Sequence, residues 1–476
     1  MLVLMIVIFV LGYGAIALEH PLKTDKAASA LLTGTILWAI YALNAEGLLS
    51  LDLSPAFKLI SDAATDVMNF IHPKVAEEHF KNVWESSVEV AKEPHHFILH
   101  DLEHHLVEVA EILFFLLGAM TIVETVDQHQ GFKIITDRIT TNSKVKLLWI
   151  LSFIAFFMSA ALDNLTTTIV MLALLRKLIG DQKTRWFFAS VIVIAANAGG
   201  AWSPIGDVTT IMLWIGGQIT AASIIVGIII PSLINLIVPI SVMSFFMKGD
   251  IPRPELSDAD KREFTTPKER NLLFFLGVGA LLFVPIFKTV THLPPFLGML
   301  LGLGVIWTVT EFLHKHKPSE DKRKLTVAGV ISKVDIPTIF FFLGILMAVA
   351  ALQSVGVLAE LSTWLDTVTD KNIYVISAAI GILSSIVDNV PLVAGAMGMY
   401  PLAEAGAFMV DGTFWHLIAY TAGTGGSILI IGSAAGVAAM GLEKIDFIWY
   451  MKNISLWALL GYFAGLAYYI LEVTMF

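Results

Sequence analysis

Several stretches of this chain run for 18 residues or more without a single Asp, Glu, Lys or Arg, among them Met1 to Leu18, Ala28 to Ala45, Val208 to Met247, Ile336 to Ala359, Gly412 to Leu442 and Asn453 to Leu471. At a rise of about 1.5 Å per residue, roughly 20 such residues cross the hydrocarbon core of a bilayer. Water-soluble domains break such runs with charge, because a surface helix needs a polar face. Hydrophobic residues make up 56% of the chain and charged ones 15%, and the mean hydropathy is +0.78. The bilayer is therefore the expected solvent, and the expected fold class is an all-α polytopic membrane protein.

The first stretch reads as a span. A cleaved signal peptide is the alternative, though it lacks a basic n-region and a clear small-residue cleavage site. The absence of cysteine excludes thiol catalysis, zinc-thiolate sites and disulfides. The formal charge of −10 says little about partners, because acidic residues crowd one segment, Asp62 to Glu111. No nucleic-acid partner is expected.

Ten spans are expected, near 1–18, 28–49, 106–126, 186–215, 219–247, 271–288, 293–313, 337–357, 413–441 and 447–472. Two further apolar segments have the wrong length. Between Lys146 and Arg176 lie 29 residues, too many for one simple span and too few for two, with Asp163-Asn164 in the middle. Asn372 to Ala403 repeats the pattern around Asp388-Asn389 and Pro391. Helix–turn–helix hairpins over 145–178 and 373–403, entering part-way and returning, fit both.

Lys and Arg mark the cytoplasmic loops. Lys23 and Lys26, the run Lys133 to Lys146, the run Arg176 to Arg185, Arg253 to Arg270 and Lys315 to Lys333 fall inside on this rule. The segment 50–105 and the Pro401 to Thr413 loop fall outside, as do both chain ends. The expected location is a bacterial cell membrane.

The sequence also repeats itself. Ser159-Ala-Ala-Leu-Asp163-Asn164 matches Ser384-Ser-Ile-Val-Asp388-Asn389 at an offset of 225. Gly199-Gly-Ala-Trp-Ser-Pro-Ile-Gly206-Asp207 matches Gly425-Gly-Ser-Ile-Leu-Ile-Ile-Gly432-Ser433 at 226, and Leu113-Phe-Phe-Leu-Leu-Gly118 matches Ile339-Phe-Phe-Phe-Leu-Gly344 at 226. Three blocks in one order point to duplication, and five spans per half invert the second copy. The expected domains are a first repeat over 1–247, with a broken helix at 186–215 and an exterior acidic, His-rich segment at 50–105, a cytoplasmic linker over 248–270, and a second repeat over 271–476 with a broken helix at 413–441.

Inside the expected bilayer the acids are few: Glu108, Glu111, Glu124, Asp163, Asp207 and Asp388, with no Lys or Arg expected at comparable depth. A carboxylate there costs several kcal/mol unless paired or protonated, so each is a site candidate. Asp163-Asn164 leads into Thr166 and Thr167, Asp207 into Thr209 and Thr210, and Asn197 precedes the Gly199-Gly200 break. The second half offers Ser384, Ser385, Asp388, Asn389, Thr424, Ser427 and Ser433, with Ser433 standing where the first half has Asp207. Carboxylate, amide and hydroxyl oxygens beside unwound backbone are the hard ligands sodium prefers. A carboxylate in a low-dielectric interior holds a proton when empty and releases it when a cation binds. Sodium and protons thus compete for Asp163, Asp207 and Asp388. The bland alternative for each is an Asp that caps a half-helix.

Glu111 and Glu124 suit a proton relay or simple pairing. His95, His96, His100, His104 and His105 are interleaved with Glu103 and Glu108; His96, His100 and His104 share one helix face, where metal binding, pH sensing or plain solvation are open. No GxxxxGK[ST] or strand–GxGxxG–helix context suggests a nucleotide site, and no HExxH or GxSxG suggests an enzyme. No cofactor is expected.

On Ala161 to Thr168, Asn197 to Asp207, Ile386 to Pro391 and Gly423 to Ser427 the chain resembles the NhaD-type sodium/proton antiporters of the ion transporter superfamily, from about Glu103 to the C-terminus. The resemblance implies sodium or lithium efflux driven by protons, and a homodimer with scaffold and transport domains in elevator-like motion. The same superfamily implies a rival, a sodium-coupled carboxylate or other anion symporter. Neutral tips would suit an anion, because half-helix N-termini already attract negative charge. Acidic ones argue for a cation.

Overall fold

A computed structural model describes residues 1–17, 22–58, 93–136, 138–251, 265–317, 319–386 and 388–475. Most of the acidic stretch of the expected exterior segment and the centre of the expected linker lie outside these residues. Among the described residues the regular structure is helical. The principal helices are α1 (Leu2–Ala17), α2 (Lys26–Leu43), α3 (Pro94–Gln128), α4 (Lys144–Leu162), α5 (Asn164–Leu178), α6 (Gln182–Ala201), α7 (Val208–Ile215), α8 (Ala221–Phe246) and α9 (Pro267–Thr291). They continue with α10 (Pro295–Leu313), α11 (Ile336–Val355), α12 (Val357–Val368), α13 (Ile373–Leu383), α14 (Asn389–Met399), α15 (Thr413–Gly425), α16 (Ala434–Glu443) and α17 (Ser455–Met475).

Helix starts follow local chemistry. Asp25 caps α2, Asp181 caps α6, and Thr266 with Glu269 forms a reciprocal capping box before Pro267 of α9. Pro231 and Pro239 sit inside α8 and Pro285 inside α9, as spans tolerate.

Among the described residues eight helices, α2, α3, α4, α8, α9, α10, α11 and α17, are long and apolar enough to cross a membrane. The difference from ten spans has physical causes. Helix α1 has 16 residues. The expected spans 186–215 and 413–441 are each split in two, into α6 with α7 and α15 with α16. Conversely α4, the first arm of an expected hairpin, is long enough to span by itself. Helix α3 runs unbroken for 35 residues, so the His-rich end of the segment assigned to the exterior is continuous with the span after it.

The chain divides into two compact units. The first holds Met1–Leu113, Ile336–Asn372 and Ala394–Pro401. Its centre is the packing of α2 on α11, where small residues let backbones meet: a Cβ at Gly34 would lie 2.5 Å from the Gly344 carbonyl oxygen. The Trp38 indole donates to the Met347 carbonyl at 2.8 Å across the same seam. Helix α1 lies on α2 with Gly12 against Thr33.

The second unit holds Phe114–Asp335, Ile373–Val393 and Leu402–Phe476. Its helices also meet through glycines: Gly461 and Gly465 of α17 against Asn235 and Pro231 of α8, and Gly302 of α10 against Ala280 of α9. Helix α6 is its spine, with Phe188 to Ala201 buried without interruption.

Candidate cation site

Helices α4 and α5 are joined by one residue. Asp163 sits at φ 87° and ψ 160°, a backbone region that side-chain-bearing residues avoid and that costs about 1–3 kcal/mol. Its carboxylate holds the turn, accepting from the Thr166 amide at 2.8 Å and the Thr166 hydroxyl at 2.7 Å, which also caps α5. Immediately after the turn, the buried Asn164 donates to Asn197 Oδ1 at 3.0 Å and to Asp207 Oδ2.

Helix α6 ends at Ala201 and the chain resumes as α7 at Val208, with Asp207 as the cap. Asp207 is 1% exposed. Its Oδ1 accepts from the Thr209 amide and hydroxyl, both at 2.9 Å. Asn389 at the start of α14 approaches the same carboxylate at 3.4 Å. Asp163 and Asp388 lie near enough for their charges to act on Asp207.

From the C-terminal half, α15 ends at Gly425 and α16 begins at Ala434, capped by Ser433. The Asn197 amide donates to Ser427 Oγ and to Ser433 Oγ, each at 2.9 Å. Asn164, Asn197, Asp207, Asn389, Ser427 and Ser433 therefore form one buried cluster drawn from α5, α6, α14 and the two inter-helix breaks. Two hydroxyls of α5, Thr167 Oγ1 and Thr168 Oγ1, are buried without a hydrogen-bond partner. Carboxylate, amide and hydroxyl oxygens in a dry interior suit a hard monovalent cation.

Local geometry recurs at the offset found in the sequence. A Cβ at Gly199 would lie 2.1 Å from the carbonyl oxygen of Phe156, and one at Gly425 would lie 2.0 Å from that of Gly381. Ser159 Oγ donates to the Ala196 carbonyl at 2.6 Å and Ser384 Oγ to the Ala422 carbonyl at 3.1 Å. Asp207 and Ser433 share one backbone conformation, φ −148° with ψ 148° and φ −150° with ψ 155°.

Several expected ligands also make local hydrogen bonds. Thr210 donates to the Asp207 carbonyl, Ser385 to Ile382, Thr424 to Tyr420 and Ser384 to Gly381, all backbone oxygens. Asp388 Oδ1 accepts from the Val390 amide at 3.3 Å. Glu124 accepts from Gln128 at 2.7 Å in the second unit. His104, Glu108 and Glu111 belong to the first unit, where Glu108 contacts His104 at 3.4 Å and His105 at 3.2 Å. His95, His96, His100 and His104 are exposed, and His105 is the one turned inward. No group of three or more His, Asp or Glu among the described residues has the geometry to hold a metal, so the shared face of His96, His100 and His104 finds no support as a metal site.

Two cations outside the set of buried acids reach the far ends of the half-helices. Lys288 of α9 donates to the Trp214 carbonyl in the last turn of α7 at 2.7 Å, with its ammonium 4.7 Å from the Trp214 ring centre. A lone lysine near the end of an apolar span was the available signal. Arg176 donates to the Leu442 carbonyl at the end of α16, and with Arg185 it pairs with the buried Glu443 at 2.7 and 3.0 Å.

The sequence matches the family model described as citrate transporter over residues 3–423. It is 43% identical over 468 residues to sodium/proton antiporter 1 of Arabidopsis thaliana, covering 98% of this chain and 72% of that protein. It is 41% identical over 471 residues to sodium/proton antiporter 2 of the same plant, covering 98% of each. It is 34% identical over 396 residues to the Na+/H+ antiporter NhaD of Alkalimonas amylolytica, covering 76% of this chain and 77% of that protein. The likeness reaches plant and bacterial proteins alike, so it marks an integral membrane protein without assigning a bacterial membrane. With its full-length match to such relatives, the chain belongs to the NhaD-type sodium/proton antiporter family, within the broader family whose model is described as citrate transporter.

Proposed function

We propose that this protein is a secondary active transporter that exchanges sodium or lithium ions for protons across a membrane, both ions competing for Asp163, Asp207 and Asp388. The observation that carries the reading is the buried Asp207 carboxylate, ringed by the amides of Asn164 and Asn389 and the hydroxyl of Thr209. A cation entering there gains a full negative charge and neighbouring oxygens. When it leaves, a proton is the cheapest way to neutralise the site. No cofactor enters the cycle; the partners are the transported ions and lipid.

The recurrence of close glycine approaches at 225 and 226 residues supports two copies of one unit, over 1–247 and 271–476, joined by 248–270. An odd number of spans in each copy would invert the second, with hairpins at 145–178 and 373–403 re-entering from opposite sides and both termini outside. A homodimer is part of this reading. An anion symporter is disfavoured, because carboxylates at the site repel an anionic substrate.

In everted vesicles, Asp163→Asn and Asp388→Asn are each expected to abolish sodium-dependent dissipation of a pH gradient while the protein remains in the membrane. Normal exchange in both variants removes these residues from the site.

A further inference from the structure

Helix α7 connects two charges. Its N-terminal cap is Asp207, the carboxylate at the centre of the site, and its last turn contains Trp214, whose carbonyl takes the Lys288 ammonium. The helix is eight residues long, so the charges stand about 12 Å apart along it. The dipole of α7 presents its positive end to Asp207 and its negative end to Lys288. A cation on the negative end stabilises the helix, and its field extends through a low-dielectric interior to the cap. The Trp214 ring, itself 2% exposed, holds the ammonium in place. In the other half, α16 is finished the same way by Arg176 on Leu442, although its cap is the uncharged Ser433.

We propose that Lys288 is a positioning residue that sets the electrostatic potential at Asp207 through α7, and so fixes the pH at which protons begin to compete with sodium. The proposal rests on the exchange reading given above. Both competing ions carry one positive charge, so a positive potential at Asp207 weakens both by the same factor. Removing the Lys288 charge strengthens both equally. On the acid side, where a proton must leave before sodium enters, the two changes cancel and half-saturating sodium is unchanged. On the alkaline side, where the carboxylate is already free, sodium binds more tightly. A unit charge about 12–15 Å away at an effective dielectric near 20 corresponds to roughly six- to tenfold.

The test is half-saturating sodium as a function of pH, measured by sodium-dependent dissipation of a pH gradient in everted vesicles of the full chain. Lys288→Gln is expected to lower half-saturating sodium about six- to tenfold at alkaline pH, to leave the acid limb within twofold, and to move the crossover about 0.8 to 1 pH unit upward. A residue that only holds α7 in place would instead weaken sodium at every pH or reduce the maximal rate alone, and either result overturns the proposal. Lys288→Arg keeps the charge and should keep both limbs within about twofold. A displaced crossover in Lys288→Arg overturns the proposal even where the neutral variant fails to reach the membrane. Exchange in the unmutated protein with an unshifted Lys288→Gln profile refutes the role of Lys288 alone, whereas absence of exchange in the unmutated protein refutes the underlying reading as well.

Discussion

Asn197 donates a 2.9 Å hydrogen bond to Ser433, 236 residues further along the chain, and Ser433 occupies in the C-terminal half the place that Asp207 occupies in the N-terminal half. One amide thus ties α6 to the break before α16. The same side chain accepts from Asn164, so both halves of the cluster meet at a single residue with no exposed surface.

Asn197→Ala removes three hydrogen bonds, one each from Asn164, Ser427 and Ser433, in a dry interior. A loss of about 2–4 kcal/mol is expected, visible as a lower melting temperature in detergent, together with loss of most sodium-dependent exchange. Asn197→Asp keeps the shape but adds a charge beside Asp207, and it should weaken exchange without a comparable fall in protein yield. Normal exchange by Asn197→Ala would show that the bridge between halves is dispensable.

Gly199→Ala and Gly425→Ala form a matched pair. Each new methyl would sit about 2 Å from a backbone carbonyl oxygen, Phe156 in one case and Gly381 in the other, and backbone cannot move aside as a flexible side chain can. Both variants should lose at least about 1–3 kcal/mol of stability, and by similar amounts. Fluorescence-detected size exclusion of the two variants measures this directly. A severe defect in one and none in the other would argue against equivalent packing.

His129 and His314, both fully buried, stack with their Nε2 atoms 2.8 Å apart just beyond the ends of α3 and α10. His129 Nδ1 is bonded to the Thr125 carbonyl, so it carries the hydrogen, and His129 Nε2 must accept from His314. His314 Nδ1 then faces the Glu269 carboxylate at 4.0 Å, which is itself paired with Lys317 at 3.1 Å. Burial holds His129 below the ordinary histidine range, and burial with the neighbouring His129 takes His314 down to about 4. The folded state therefore binds fewer protons than the unfolded one. Stability from this pair is complete above the ordinary value of about 6.5 and declines as pH falls towards 4. His314→Gln should show a smaller drop in melting temperature between about pH 7 and pH 5 than the unmutated protein. An identical drop would mean that the pair stays unprotonated or does not limit stability.

Much of this was legible in the residues. Long charge-free runs announce the bilayer, and the recurrence of Asp-Asn and Gly-Gly blocks marks the places where helices break, because glycine permits close approach and Asp caps a restart. Asn164, Asn197, Asp207, Asn389, Ser427 and Ser433 could be named as neighbours before any fold was known. The sequence did not separate these from Thr210, Ser384, Ser385 and Thr424, because a hydroxyl on a helix has an alternative partner in the carbonyl one turn back, and only packing decides. The role of Lys288 is not legible for a related reason: its long stem lets a charge near the end of an apolar span reach the end of another helix, which composition by segment does not show. The continuity of α3 through the expected surface of the membrane was hidden by its histidines, which read as an exterior segment while the helix simply continues.

Competition between two cations for one set of carboxylates is tested most directly by half-saturating sodium across about pH 6 to 9 in everted vesicles of the unmutated protein. The expected result is a value that is flat on the alkaline side and rises on the acid side by about tenfold per pH unit for each proton displaced. Half-saturation that stays constant with pH, while the maximal rate alone changes, would contradict a shared site.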